Sequence, residues 1–253
     1  MKGLVRQVIV LIAVFAMVYL NLTSNASGFT EPEQVTIEQY YLYPTDFSPT
    51  PLTFLIWAPI FLGMIVFAIY QALPKNRRDE RFDEIALPVV LVSVLNGVIN
   101  YVPIGISVIN VFLLLIALTW TFIKIVRLPS DRLFYLTTRV PVGLFFGWIT
   151  IASILNVCQW LVSVGWNGSG IPSTIWVAIL IVIASAVGAF IIMRFKEIAY
   201  GAVLLWGFGG ILVSNPSQVS VILAVITCSI LLIILGVQTI RHQNALQDFT
   251  APA

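Results

Sequence analysis

An all-α bundle of about eight membrane-spanning helices, with both termini on the cytoplasmic side, is the fold this sequence predicts. Three observations carry it. Of 253 residues, 59% are hydrophobic and only 9% are charged, against roughly 25% charged in a soluble domain. The 13 Lys and Arg residues gather in groups separated by uncharged stretches at 85–123, 140–193 and 198–240. Each stretch is far longer than the roughly 20 residues that cross a ~30 Å hydrocarbon layer, so each must leave, turn and return. Short loops rich in Lys and Arg stay cytoplasmic, which makes the basic side the inside. The stretches are also continuously apolar rather than alternating, which selects helices over a β-barrel.

Taken in order, residues 5–22 form the first span. Lys2 and Arg6 precede its apolar run and Ser24-Asn25-Ala26 resembles a cleavage site, so a signal peptide competes with a retained helix. The length of the run favours retention. Residues 23–50 carry Glu31, Glu33, Glu38 and Asp46 without a basic residue and read as the longest outside loop. Span two, 52–73, stops at Pro74 and the charged loop 75–84. Spans three and four, 85–102 and 106–123, form a tight hairpin around Pro103 and Gly105, since proline ends one helix and glycine permits the reversal. Span five, 140–161, turns through the outside segment 165–172 into span six, 174–193, which ends at Arg194-Phe195-Lys196-Glu197. Span seven, 198–213, is short and reads as little tilted or enclosed by the bundle. Residues 214–217 turn it into span eight, 219–240, and the even count returns the chain to the side of Lys2, Arg6 and Arg241. Asn21, Asn25 and Asn167 head N-x-S/T sequons on or near the outside, with chance the favoured explanation.

Composition also excludes functions. A net charge of +2, with the basic residues in loops, argues against nucleic acid as a partner. No Asp or Glu falls within a span, which weakens proton pumps and ion-coupled transporters because intramembrane charge carries their coupling. None of Lys2, Lys75, Lys124 and Lys196 sits where a retinal Schiff base needs a lysine. The single histidine, His242, lies beyond the last span, so imidazole-held metal or haem inside the bundle is excluded. Cys158 and Cys228 lie within spans and read as small packing residues. Neither a catalytic constellation nor a cofactor is expected, and the chain does not read as an enzyme.

What the interior offers is amides and indoles. Ser93, Asn96 and Asn100 share a face of span three; Trp148, Ala152, Asn156, Gln159 and Ser163 lie near one face of span five. Trp57 and Tyr70 belong to span two, Trp120 to span four and Trp206 to span seven. Asn96, Asn100 and Asn156 either bridge helices or line a ligand cavity. Trp166 and Trp176 read as interface anchors, whereas Trp57, Trp148 and Trp206 lie deeper. Gly143 with Gly147, Ala184 with Gly188, and Gly207, Gly209 and Gly210 permit close helix approach.

Two segments resemble the TspO/MBR family, the tryptophan-rich sensory proteins related to the translocator protein. One is Pro51-Leu-Thr-Phe-Leu-Ile-Trp57-Ala-Pro59 with Tyr70 and Gln71 following, similar to the family's aromatic second helix. The other is Pro141-x6-Trp148-Ile-Thr-Ile-Ala152-Ser-Ile-Leu155-Asn156, similar to its fifth. Asn96, Asn100 and Trp120 sit where the family places similar residues. The resemblance spans residues 1–165 as a five-helix portion, leaving 166–253 as three additional helices and a short tail. It departs from the family in the loop after the first helix, where only Tyr40, Tyr41 and Tyr43 stand in place of tryptophans.

The resemblance implies non-enzymatic binding, for sensing or transport, of a planar lipophilic ligand such as a tetrapyrrole, porphyrins foremost. Trp57, Tyr70, Trp120 and Trp148 would stack on the macrocycle, and Asn96, Asn100 and Asn156 would orient its polar edge. The longer form implies a bacterial or cyanobacterial cell membrane, thylakoids included. A small-solute permease or exporter and an assembly partner of a membrane complex are the alternative readings. The expected partners are the lipid bilayer, a lipophilic small molecule and, in a homodimer, a second copy of the chain.

Overall fold

The computed structural model describes residues 2–27 and 43–250, with side chains for 2–24 and 43–241. Tyr40, Tyr41, Glu31, Glu33 and Glu38, and the side chains of Asn25 and His242, lie outside the described residues. Eight long helices follow one another: α1 (Gly3–Ser27), α2 (Trp57–Ala72), α3 (Glu80–Val98), α4 (Ile104–Arg127), α5 (Val140–Ser163), α6 (Ser173–Phe195), α7 (Ile198–Ser214) and α8 (Val219–Thr250). Among the described residues there is no strand. Seven of the apolar segments are long enough to cross a membrane, and α7, at 17 residues, is the shorter eighth. The chain is a multi-pass membrane helical bundle.

Several helix ends differ from the expected spans for identifiable reasons. The start of α3 at Glu80, rather than 85, is set by Asp79, whose carboxylate accepts the Arg81 backbone N–H at 3.0 Å. Glu80 and Asp83 then occupy the first turn, where negative charge complements the helix dipole. The helix leading into α5 begins early too, at Arg132, capped by Asp131 accepting from the Phe134 N–H at 2.9 Å, and passes through a π-turn at Tyr135–Arg139. The turn between α3 and α4 is a 3₁₀ turn at Ile99–Tyr101 followed by Pro103 as N-cap, so Gly105 lies inside α4 and not in the reversal. Nothing breaks the helical pattern after Arg241, and α8 continues to Thr250 in place of the expected tail.

The helix α5 is the hub, packing against α2, α4 and α7. On one side α1 lies against α2 and α3; on the other α6, α7 and α8 pack mutually. Gly147 makes the α5–α7 contact possible: a Cβ there would sit 2.8 Å from the Tyr200 carbonyl oxygen. Gly188 similarly receives Leu204 and Leu232. The short α7 packs against α5, α6 and α8 on one face, but Ala202, Trp206, Gly209 and Val213 stay exposed on the other. It is therefore not enclosed, and Trp206 is not as deep as its sequence position suggested.

Charge is concentrated at one end. Arg6 is fully buried and donates to Asp83 at 2.8 Å and to the carbonyls of Asp79 and Asn76 at 2.9 and 2.7 Å. Arg81 pairs with Asp79 and Asp131, tying the α2–α3 loop to the segment before α5. Arg139 pairs with Glu197 at 2.7 Å and also donates to the Phe195 carbonyl, tying α5 to the α6–α7 turn.

Candidate ligand site

Two of the sequence-predicted tryptophans meet where α2 crosses α5. The Trp57 ring stacks on Phe61 (4.9 Å between centroids, 19° between planes) and meets Phe145 and Trp148 edge-on at 5.7 and 6.2 Å. Phe54 closes on Trp148 from the other side at 5.5 Å. Aromatic pairs favour these offset and edge-to-face arrangements, each contributing about 0.5–1.5 kcal/mol beyond burial. Their exposure differs: Trp148 is sealed, at 1%, whereas Trp57 is half-buried and flanked by the exposed Leu55, Ala58 and Leu62. A lipid-borne molecule can thus reach Trp57 directly and Trp148 only by parting rings.

Residues 43–56 fold over this cluster at the end opposite the charged loops. The segment is strapped to α7: the Thr50 N–H donates to the Gly210 carbonyl at 3.2 Å and the Trp206 indole N–H to the Thr53 carbonyl at 2.7 Å. The Asn215 amide donates to the Asp46 carbonyl at 2.8 Å, and the Ser173 hydroxyl to the Asp46 carboxylate. Gly210 is required here, since a Cβ would stand 2.0 Å from the Thr53 hydroxyl. Phe47 is inserted into the core beneath.

The amides lie elsewhere. Ser93 and Asn96 are buried on α3 and Asn100 in the 3₁₀ turn that follows it, and the latter two face α1. Asn21 donates to the Asn96 side-chain oxygen at 3.0 Å, and Asn100 donates to the Asn21 oxygen at 3.1 Å and the Ser24 hydroxyl at 2.9 Å. The Asn96 Nδ2 is buried without a partner. Asn156 forms a separate contact, accepting from the Ser107 hydroxyl of α4 at 2.8 Å. Tyr70 stands at the charged end, edge-on to Phe82 at 5.8 Å with Lys75 over its ring. Trp120 is 40% exposed on the outside of α4, beneath the Lys124 ammonium. Of the seven predicted site residues, the structure brings Trp57 and Trp148 into contact and places Asn96 and Asn100 together. The other three stand apart.

Across residues 7–238 the chain matches the family model described as TSPO-like protein. It belongs to the TSPO-like family. The match runs through α6, α7 and most of α8 as well as the first five helices. No curated protein and no solved structure matches it.

Three features of this TSPO-like bundle escaped sequence reading. Arg6, taken as a topology signal, is the buried tie between α1 and α3; its position one residue inside a predicted span was the available clue, since charge in an apolar run needs a partner. Asn21, read only as a sequon, is the centre of the α1–α3 amide clamp. Glu197, read as part of a charged turn, is wholly buried against Gly143 and Arg139, and burial pushes its carboxyl above the ordinary range while Arg139 opposes the shift. By contrast, the Arg81 guanidinium holds Asp79 below the ordinary range, and for Asp131 the Phe134 backbone N–H acts first and Arg81 second. Tyr200, buried in α7, shares a hydrogen bond of 2.8 Å with Thr150 of α5.

Proposed function

We propose that this TSPO-like membrane protein binds a planar lipophilic molecule, a tetrapyrrole such as a porphyrin foremost, without converting it chemically. The supporting observation is Trp57: a half-buried indole open toward lipid, backed by Phe61, Phe145 and the sealed Trp148. A flat apolar ring system gains by covering such a surface, and stacking geometry confers the preference for planarity. We read the membrane as a bacterial or cyanobacterial one, with the basic loops on the cytoplasmic side. Binding serves sensing or transport.

Titration of protoporphyrin IX into the purified protein tests this, with tryptophan fluorescence as the readout. Saturable quenching that weakens in Trp57→Phe is the expected result. Absence of quenching, or quenching unchanged in that variant, would end the reading.

A further inference from the structure

A second site stands at the charged end of the bundle, well away from the aromatic cluster. A cavity of about 320 Å³ opens between the end of α4, the π-turn leading into α5 and the last turn of α6, lined by Ile123, Val126, Arg127, Arg139, Arg194 and Phe195. Three arginines, from the end of α4, the π-turn leading into α5 and the end of α6, therefore line one space. Only Arg139 has a carboxylate partner, Glu197; Arg127 and Arg194 are exposed and make no ion pair among the described residues. Of the other acidic residues of this end, Asp79, Asp83 and Asp131 are engaged by Arg6 and Arg81, while Glu80 and Glu84 are exposed at the start of α3 and do not line the cavity.

The charge balance decides what fits. Three arginines and Glu197 leave two positive charges, and the C-termini of α4 and α6 offset about half a charge each. About one positive charge remains. Guanidinium groups are planar and donor-rich, matching the oxygens of a phosphate group, which arginine binds through paired N–H donors. Ile123, Val126 and Phe195 supply an apolar wall directly below.

We propose that this cavity binds a phosphate-bearing anion carrying about one charge. Such a group comes either from the headgroup of an anionic phospholipid, with its acyl chains against the apolar wall, or from a free phosphate compound. The site is independent of the Trp57 cluster and of whether that cluster binds porphyrins.

The experiment measures lipid retention by native mass spectrometry on protein purified in detergent and supplied with phosphatidylglycerol or phosphatidylcholine. Inorganic phosphate is added as a competitor. Wild-type protein is compared with Arg127→Gln/Arg194→Gln, which leaves the Arg139–Glu197 pair intact. A second pair, Arg77→Gln/Arg78→Gln, removes two exposed charges from a different loop of the same end. Each lost arginine at the cavity is expected to weaken phosphatidylglycerol retention about fivefold, with the Arg77/Arg78 pair close to wild type. Displacement by millimolar inorganic phosphate identifies a free phosphate as the occupant, and preference for phosphatidylglycerol without displacement identifies the lipid; both support the site. Equal retention of phosphatidylcholine, or equal losses in the two double variants, overturns it, because the attraction would then be diffuse surface charge.

Discussion

The α1–α3 contact and the α2–α5 contact are built from the residue types a membrane helix uses for recognition, yet they are organised in opposite ways. At α1–α3 the polar atoms are mostly spent on each other: Asn21 donates to Asn96, and Asn100 to Asn21 and Ser24, with almost no exposure and with only the Asn96 Nδ2 among the described atoms of Asn96 and Asn100 left over. At α2–α5 the rings of Trp57, Phe61, Phe145 and Trp148 pack together, but one of them keeps surface toward lipid. The first contact holds the bundle, and the second has something left to offer a ligand. Residue type alone does not separate glue from site; what separates them is whether the group's capacity is used up internally.

Variants can break or sharpen that contrast. The largest effect is expected at Arg6. Arg6→Ala leaves Asp83 without its partner and two carbonyls without a donor, and breaking a buried pair costs about 3–5 kcal/mol. Detergent-based thermal unfolding should show a large fall in Tm, with porphyrin affinity of the folded fraction unchanged. Gly147→Leu comes next, because it drives a side chain into the Tyr200 backbone; overpacking of this kind costs about 1–3 kcal/mol. It separates α5 from α7, and a porphyrin signal that moved with it would draw α7 into the site. Asn21→Leu removes the centre of the amide clamp, and interhelical bonds in membranes average about 0.6 kcal/mol, up to ~2. A modest drop in Tm with ligand binding intact is the expected outcome.

The smallest effect is a pH dependence. Burial holds the Glu197 carboxyl above its ordinary 4.5, so the folded state keeps its proton more readily than the unfolded chain. That contribution to stability is fully present below about pH 4.5 and is lost as pH rises through the raised folded value. Glu197→Gln removes the titration. The Tm of the wild type relative to this variant should therefore decline as pH increases from 4.5 toward neutrality; a flat difference would show that Arg139 fully compensates the burial.

Much of the architecture was legible because it follows from two quantities, the length of uncharged stretches and the position of Lys and Arg. All eight expected spans are helices, and Gly147 and Gly188 mark close approaches as their spacing suggested. The ends were less legible where charged residues belong to helices: Asp79, Glu80 and Asp83 build the start of α3 precisely because they are acidic, while hydropathy reads them as loop. The site was legible only in part. Trp57 and Trp148 lie far apart in sequence, and their contact depends on how α2 crosses α5, which helical periodicity within either one does not contain. Periodicity did place Asn96 and Asn100 on one face, but their partner, Asn21, belongs to another helix. Trp120 shows the remaining gap, since an indole on a lipid-facing surface and one on a core face look alike in a uniformly apolar helix.

The most direct test sets one residue from each contact against the other. Protoporphyrin IX is titrated into the wild type, Trp57→Leu and Asn96→Leu, and Kd is read from fluorescence quenching. Trp57→Leu should weaken binding about tenfold, the upper end of what one aromatic pairing contributes, while Asn96→Leu leaves Kd unchanged. A weakened Kd in Asn96→Leu with none in Trp57→Leu would contradict the account and move recognition to the α1–α3 contact.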